Sequence, residues 1–171
     1  MKRLTLMRHG NAKWNDPEVA DFERPLNRRG VGECEAMARR LAELSLVPSL
    51  IIASPATRTR QTADIVAREL RVPSRHVRTE EALYLARAED ILKVIQATGP
   101  RVPHLMIVGH NPGISKAGTD LGAKYEGEDM ETGAIVSLTF DVRAWPAVAK
   151  ATLRGCLNEV PPARLLSSLF T

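Results

Sequence analysis

Three short apolar runs, at residues 4–7, 50–53 and 104–108, each break off at a turn, and segments of helical period lie between them. Short apolar runs stopped by Gly, Pro or Ser read as buried strands, and strands alternating with helices imply a sheet covered by helices. The first helix carries Val31, Cys34, Met37 or Ala38, Leu41 and Leu44 on one face, with Asn27 as its cap. The second opens at Ser54-Pro55, read as cap and first helical residue, and runs to about Leu70 with Ala63, Val66 and Leu70 inward. Residues 90–97 form a shorter helix ended by Gly99-Pro100, and another follows Pro112-Gly113 to Leu121.

Beyond that point the pattern changes. Residues 134–140 and 147–154 are strand-like with a turn between them, and they are expected to extend one side of the sheet in partly antiparallel fashion. The fold class is therefore α/β: a three-layer sandwich, with a mostly parallel central sheet, helices on both faces and an antiparallel C-terminal edge. A chain of 171 residues holds one domain with a proper core and is too short for two comfortable ones. Residues 1–171 are read as that single domain, with residues 163–171 as a tail docking on it.

Composition removes several function classes. Apolar residues make up 44% and charged residues 26%, and no apolar run approaches the roughly 20 residues that span a bilayer. The basic start is followed by an apolar stretch too short for a signal peptide. The expectation is a cytoplasmic protein with no membrane partner. Cys34 and Cys156 make no disulfide framework and no zinc-ligand spacing, so both are read as packing residues. The net charge of +4 points to an anionic partner. Arginines are scattered rather than blocked, and aromatics are only 4%, so a nucleic-acid platform ranks last.

Chemistry gathers at the strand ends. Arg8-His9-Gly10 follows the first strand, Ser54-Pro55-Ala56-Thr57-Arg58 the second and Gly109-His110 the third. In an open α/β sheet, ligands bind beyond the carboxyl ends of the strands. If the three strands are parallel neighbours, two arginines and two histidines converge on one cleft. That set suits phosphoryl transfer, in which catalysis is positioning plus stabilisation of charge on the equatorial oxygens. Arginine offers a permanently charged planar fork, and a neutral imidazole nitrogen is a competent nucleophile toward phosphorus. A protonated second histidine would add another donor.

Leu6-Met7-Arg8-His9-Gly10, with Ser54-Pro55-x-x-Arg58-x-x-Gln61-Thr62 and Gly109-His110-Asn111-Pro112, resembles the histidine phosphatase (phosphoglycerate mutase-like) superfamily. Within it, the chain looks most like the SixA-type phosphohistidine phosphatases. The residues that carry this are Asp21-Phe22-Glu23-Arg24-Pro25-Leu26-Asn27-x-x-Gly30 and Thr132-Gly133-Ala134-Ile135. The resemblance implies that His9 becomes phosphohistidine and that Arg8, Arg58 and His110 form the phosphate pocket, with Arg24 as a further ligand. It also implies an open pocket, because mutase-like relatives carry a long helical insertion between the positions of Arg58 and His110 that this chain lacks. For the general acid, Asp21 matches an acidic position of the SixA-type pattern, while Glu80 and Glu81 lie where mutase-like relatives place a glutamate. A phosphoramidate substrate needs less help, since protonated imidazole is already a good leaving group.

The implied reaction is hydrolysis of phosphohistidine on a protein, with no cofactor and no metal. The alternatives are a phosphatase for small phosphate esters or sugar phosphates, and a phosphate-dependent binding module without turnover. Arg24 and Asp21 also read as a surface ion pair, and Asn11 as either a phosphate contact or a plain turn residue. Thr132 reads equally as support or turn. Trp14 is a wall of the pocket or an anchor for its loop; His76 and His104 are structural, and Arg28, Arg29 and Arg60 are solvated charges.

Overall fold

The computed structural model describes residues 1–14, 16–125 and 127–159; the expected tail at 163–171 lies outside them. Ten elements follow in order: β1 (Lys2–Arg8), α1 (Arg28–Glu43), β2 (Leu50–Ala53), α2 (Thr57–Leu70), β3 (Val77–Thr79), α3 (Ala88–Gln96), β4 (His104–Gly109), α4 (Gly113–Asp120), β5 (Ile135–Phe140) and β6 (Leu153–Asn158). They build one six-stranded sheet in the order β3-β2-β4-β1-β5-β6. The first four strands in that order are parallel, and β5 and β6 are antiparallel additions.

Strand side chains alternate between faces, and the core divides accordingly. Leu4, Leu6, Ile52, Leu105, Ile107, Val136 and Leu138 face α3 and α4, whose Ile91, Ile95, Ile114 and Ala117 cover them. Met7, Ile51, Ala53, Met106, Val108 and Ile135 face the opposite layer, where α1 supplies Cys34, Met37, Ala38 and Leu41 and α2 supplies Ala63 and Val66. Parallel strands buried on both faces need no polar alternation, which is why these runs are nearly continuously apolar.

Asn27 caps α1 as expected, its side chain accepting from the Gly30 N–H. Val31, expected inward, is exposed. On that turn Gly30 faces the neighbouring chain instead, so closely that a Cβ would lie 2.0 Å from the Asn11 carbonyl oxygen. The second helix starts later than Ser54-Pro55 implied, at Thr57, and no side chain caps it; Ser54 is used elsewhere, as described below.

Two more departures concern strands. The edge strand β3 is only three residues long and half solvated, too short for a periodic signal. The expected strand at 147–154 is displaced to Leu153–Asn158. Trp145 and Val148 are buried in the core, and the Trp145 indole N–H donates to the Val102 carbonyl. These anchors shape the segment into two 3-10 turns, Trp145–Ala147 and Lys150–Thr152. Cys156 consequently lies exposed on β6 rather than packed, whereas Cys34 is buried in α1 as expected.

Candidate active site

Because β2, β4 and β1 are parallel neighbours, their carboxyl ends lie side by side. Ladder-like bonds continue past them: the His9 N–H donates to the Gly109 carbonyl at 3.2 Å and the Ser54 N–H to the Val108 carbonyl at 3.1 Å. The motifs after the three strands are therefore held in mutual register. Gly10 turns the chain where a side chain has no room: a Cβ there would meet the Gly30 carbonyl oxygen at 2.7 Å and the Cys34 Sγ at 2.8 Å. The freed Gly10 N–H donates to Thr62 Oγ1 on α2, and Thr62 in turn donates to the Arg58 carbonyl.

Arg58, on the first turn of α2, sits at the centre with 2% of its surface exposed. Its Nε donates to His9 Nε2 at 3.3 Å and its Nη2 reaches His110 Nδ1 at 3.2 Å. Arginine can only donate, so both acceptor nitrogens carry lone pairs. His9 then bears its proton on Nδ1, which donates to the Gly10 carbonyl at 2.7 Å. His110 bears its proton on Nε2 and donates to Ser54 Oγ at 2.7 Å. The two rings stand 5.4 Å apart, edge to face.

Burial, followed by the opposing effect of the Gly10 hydrogen bond and by repulsion from Arg58, Arg8 and Arg24, brings the His9 pKa down to about 4. Burial and Arg58 bring His110 down to about 3. Both are therefore neutral at neutral pH, and His110 contributes its Nε2–H as a neutral imidazole rather than as a cation. His9 thus presents an unprotonated Nε2 toward the cluster, the state a nucleophile requires.

Arg8 donates to the Met130 carbonyl at 3.0 Å through Nη1. Its buried Nε has no partner among the described residues, a donor left for a ligand. Burial lowers the Arg8 pKa, partly offset by Asp129, Glu33 and Glu131. The Met130 carbonyl also accepts from Asn111 Nδ2, fixing that segment against the third motif.

The later part of the loop before α1, residues 20–26, lies against this end of the sheet, the Asp21 carbonyl accepting from Arg58 Nη1 at 2.7 Å. Its base is pinned where the Leu26 N–H donates to Gln61 Oε1, and Ala12 bridges Leu26. It delivers Asp21 and Arg24. Asp21 Oδ1 accepts from Arg24 Nε at 3.1 Å and Nη2 at 2.8 Å, and Oδ2 accepts from Arg58 Nη2 at 3.2 Å and the Tyr84 hydroxyl at 2.7 Å. Desolvation pushes the Asp21 pKa up, but the hydrogen bonds from Tyr84 and Arg24 and the charge of Arg58 outweigh it and bring it to about 2. The Arg24–Asp21 ion pair expected from sequence exists, and it reaches into the cluster rather than lying apart on the surface.

Other sequence candidates lie elsewhere. Glu80 folds back to accept from the Ala82 N–H, Glu81 is exposed, and neither hydrogen-bonds or ion-pairs with the cluster among the described residues. The Asn11 side chain is engaged with Asn27, while its N–H donates to Glu33. Trp14 is 76% exposed, with its ring 4.6 Å from the Arg24 guanidinium. His104 is structural, bonded to Thr5 and the Val47 carbonyl. Thr132 supports the site indirectly through Glu33. Among the described residues no three His, Cys, Asp or Glu side chains cluster as a metal site, and no helix is long and apolar enough to cross a membrane.

Three participants lie outside the sequence reading: Ser54 reads there as a helix cap, and nothing in the pattern singles out Tyr84 or Glu33, although Glu33 is buried with 1% of its surface exposed. The Ser-Pro motif contained a signal for Ser54; for Tyr84 there was none.

Residues 4–84 match the model of the histidine phosphatase superfamily (branch 1). A Mycobacterium tuberculosis protein is 31% identical over 156 residues, covering 91% of this chain and 92% of that one. A chloroplastic protein of Arabidopsis thaliana is 30% identical over 130 residues, and the match takes in 70% of this chain but only 59% of the longer plant protein. Among solved structures, one from Agrobacterium tumefaciens, assigned as the phosphohistidine phosphatase SixA, superposes with a TM-score of 0.71 at 31% identity, covering 80% of this chain and 90% of that one. The chain belongs to the histidine phosphatase superfamily and, within it, to the SixA-type group.

Proposed function

We propose that the protein is a phosphatase that hydrolyses phosphohistidine on a protein partner through a phospho-His9 intermediate. The observation that carries this reading is His9 Nε2, deprotonated beside the guanidinium of Arg58, with the charges of Arg8 and Arg24 bearing on the same ring and the Arg8 Nε without a partner among the described residues. In the first step the Nε2 lone pair attacks phosphorus in line, and the bond from phosphorus to the substrate's imidazole nitrogen breaks. Arg8, Arg24, Arg58 and His110 spread the charge of the phosphoryl oxygens. In the second step water attacks phospho-His9, the P–N bond breaks, and His9 and inorganic phosphate are restored.

The charge around Asp21 favours a phosphoramidate over an ester. An ester's alkoxide needs a proton at the moment of departure, and an acid held near pKa 2 is ionised at neutral pH. An imidazole leaves already protonated. Asp21 remains the carboxylate placed to receive a proton from the attacking water. The positive charge that a metal would bring is supplied by three arginines, so the reading assigns no metal and no cofactor. A phosphohistidine-bearing domain in the same compartment, which we take to be the cytoplasm, is the partner.

The test compares wild type with His9→Ala on a phosphohistidine-bearing protein and on an aryl phosphate, in chelator. Faster turnover of the phosphoprotein, lost in the variant, together with an acid-labile phosphoenzyme in wild type, is expected. Turnover of the aryl ester alone would replace the reading with a small-ester phosphatase. Binding of the phosphoprotein without turnover of either substrate would replace it with a binding module.

A further inference from the structure

Two of the arginines that a phosphoryl group needs, Arg24 and Arg58, are engaged by the protein's own anion, Asp21. Arg58 directs Nε to His9, Nη1 to the Asp21 carbonyl at 2.7 Å and Nη2 to both His110 and Asp21 Oδ2. Arg24 spends Nε and Nη2 on Asp21 Oδ1 and Nη1 on the Lys13 carbonyl at 3.2 Å. One carboxylate thus bridges two of the arginines whose charges bear on His9, Oδ1 taking two N–H groups of Arg24 and Oδ2 one of Arg58.

The carboxylate is not held by cations alone. The Tyr84 hydroxyl donates to Oδ2 at 2.7 Å, and the Tyr84 ring is fixed between two edge-to-face neighbours, Phe22 at 5.0 Å and His110 at 5.7 Å. A neutral donor on a pre-set ring steadies Asp21 in the bridging position without adding a cation that would attract phosphate. An arriving phosphoryl group must take the guanidinium N–H groups from Asp21, and the carboxylate, 44% exposed at the rim, can yield them toward solvent.

We infer that Asp21, steadied by Tyr84, is an internal anion competing with phosphate for Arg24 and Arg58, so that the pair sets how tightly the site holds its inorganic product. The inference rests on the reading of this cluster as a phosphoryl pocket. It gives the site a means of letting phosphate go, since each departing phosphate is replaced on the arginines by a carboxylate of the same chain.

The experiment measures inorganic phosphate affinity by titration calorimetry at neutral pH and fixed ionic strength, for wild type, Asp21→Asn, Tyr84→Phe, the double variant and Arg58→Ala. Asparagine keeps an acceptor for Arg24 but removes the charge. Asp21→Asn is expected to bind phosphate roughly tenfold more tightly, a gain limited by solvent screening of a half-exposed carboxylate. Tyr84→Phe, which keeps the ring, should tighten binding about threefold in wild type and not at all when Asp21 is already Asn, the signature of one residue acting through another. Unchanged or weaker phosphate binding in Asp21→Asn would overturn the inference, as would a Tyr84→Phe effect of equal size in both backgrounds. A different failure belongs to the pocket reading itself: phosphate binding absent from wild type and Asp21→Asn alike, or undiminished in Arg58→Ala.

Discussion

Replacing Glu33 by Ala is expected to destabilise the protein by about 3 kcal/mol, although the residue lies on α1 and makes no bond to Arg58, His9 or His110 among the described residues. Its carboxylate, 1% exposed, accepts from the Asn11 N–H at 2.9 Å, from Arg29 Nε at 3.0 Å and from Thr132 Oγ1 at 3.3 Å. The Arg29 bond contributes little, about 0–1 kcal/mol, because the arginine side chain is 61% exposed and solvent screens its charge even though Glu33 itself is buried. The Asn11 bond decides the magnitude: a hydrogen bond to a charged group contributes about 1.5–3 kcal/mol, and losing the acceptor strands a part-buried donor as well. Thr132 and the lost packing add the remainder. For a domain of this size the melting temperature should fall by about 6–12 °C. Thermal melts followed by circular dichroism supply the assay, with Glu33→Gln and Arg29→Ala alongside. Glutamine retains one acceptor and should fall between wild type and alanine, and Arg29→Ala should move the midpoint by no more than about 4 °C. A Glu33→Ala midpoint within about 2 °C of wild type would refute the reasoning, as would an Arg29→Ala loss of equal size. Since Asn11 follows the Arg8-His9-Gly10 turn and Thr132 precedes the Gly133 N–H that bonds the Arg8 and His9 carbonyls, turnover by folded Glu33→Ala should fall too.

Two other outcomes follow from single contacts. Ser54→Ala removes the acceptor that orients His110 at 2.7 Å, and misplacing one catalytic group should lower kcat about 10- to 100-fold in the folded variant, while the stranded His110 N–H costs about 1–3 kcal/mol of stability; a kcat within about twofold of wild type would show that Ser54 does not set the ring. Burial and the charge of Arg3 depress the His104 pKa from 6.5 to about 4, so between those values the unfolded chain binds a proton the folded chain refuses. The stability His104 contributes is complete above about pH 6.5 and is lost as pH falls toward 4. His104→Gln should therefore lose less stability than wild type on acidification through that window, whereas parallel curves of melting temperature against pH would remove His104 as the cause.

The sequence by itself determined the strands that matter and the motifs on them. The runs at β1, β2 and β4 are apolar because parallel central strands are buried on both faces, and that signal is local. The positions of Arg8, His9, Arg58 and His110 followed, because each stands within a few residues of a strand's end. Local signals failed where partners are distant in the chain. Residues 147–154 looked like a strand because Val148 and Leu153 are apolar, but burial of Trp145 against the α3 layer made turns of their first half. Ser54 looked like a cap until β4 brought His110 to it from 56 positions away. Only the tertiary structure decided the charge states, because a histidine's pKa depends on burial and on the arginines that long-range folding places beside it. Only the tertiary structure, likewise, joined Tyr84 to Asp21 across 63 positions, a contact between two loops that no period or motif encodes.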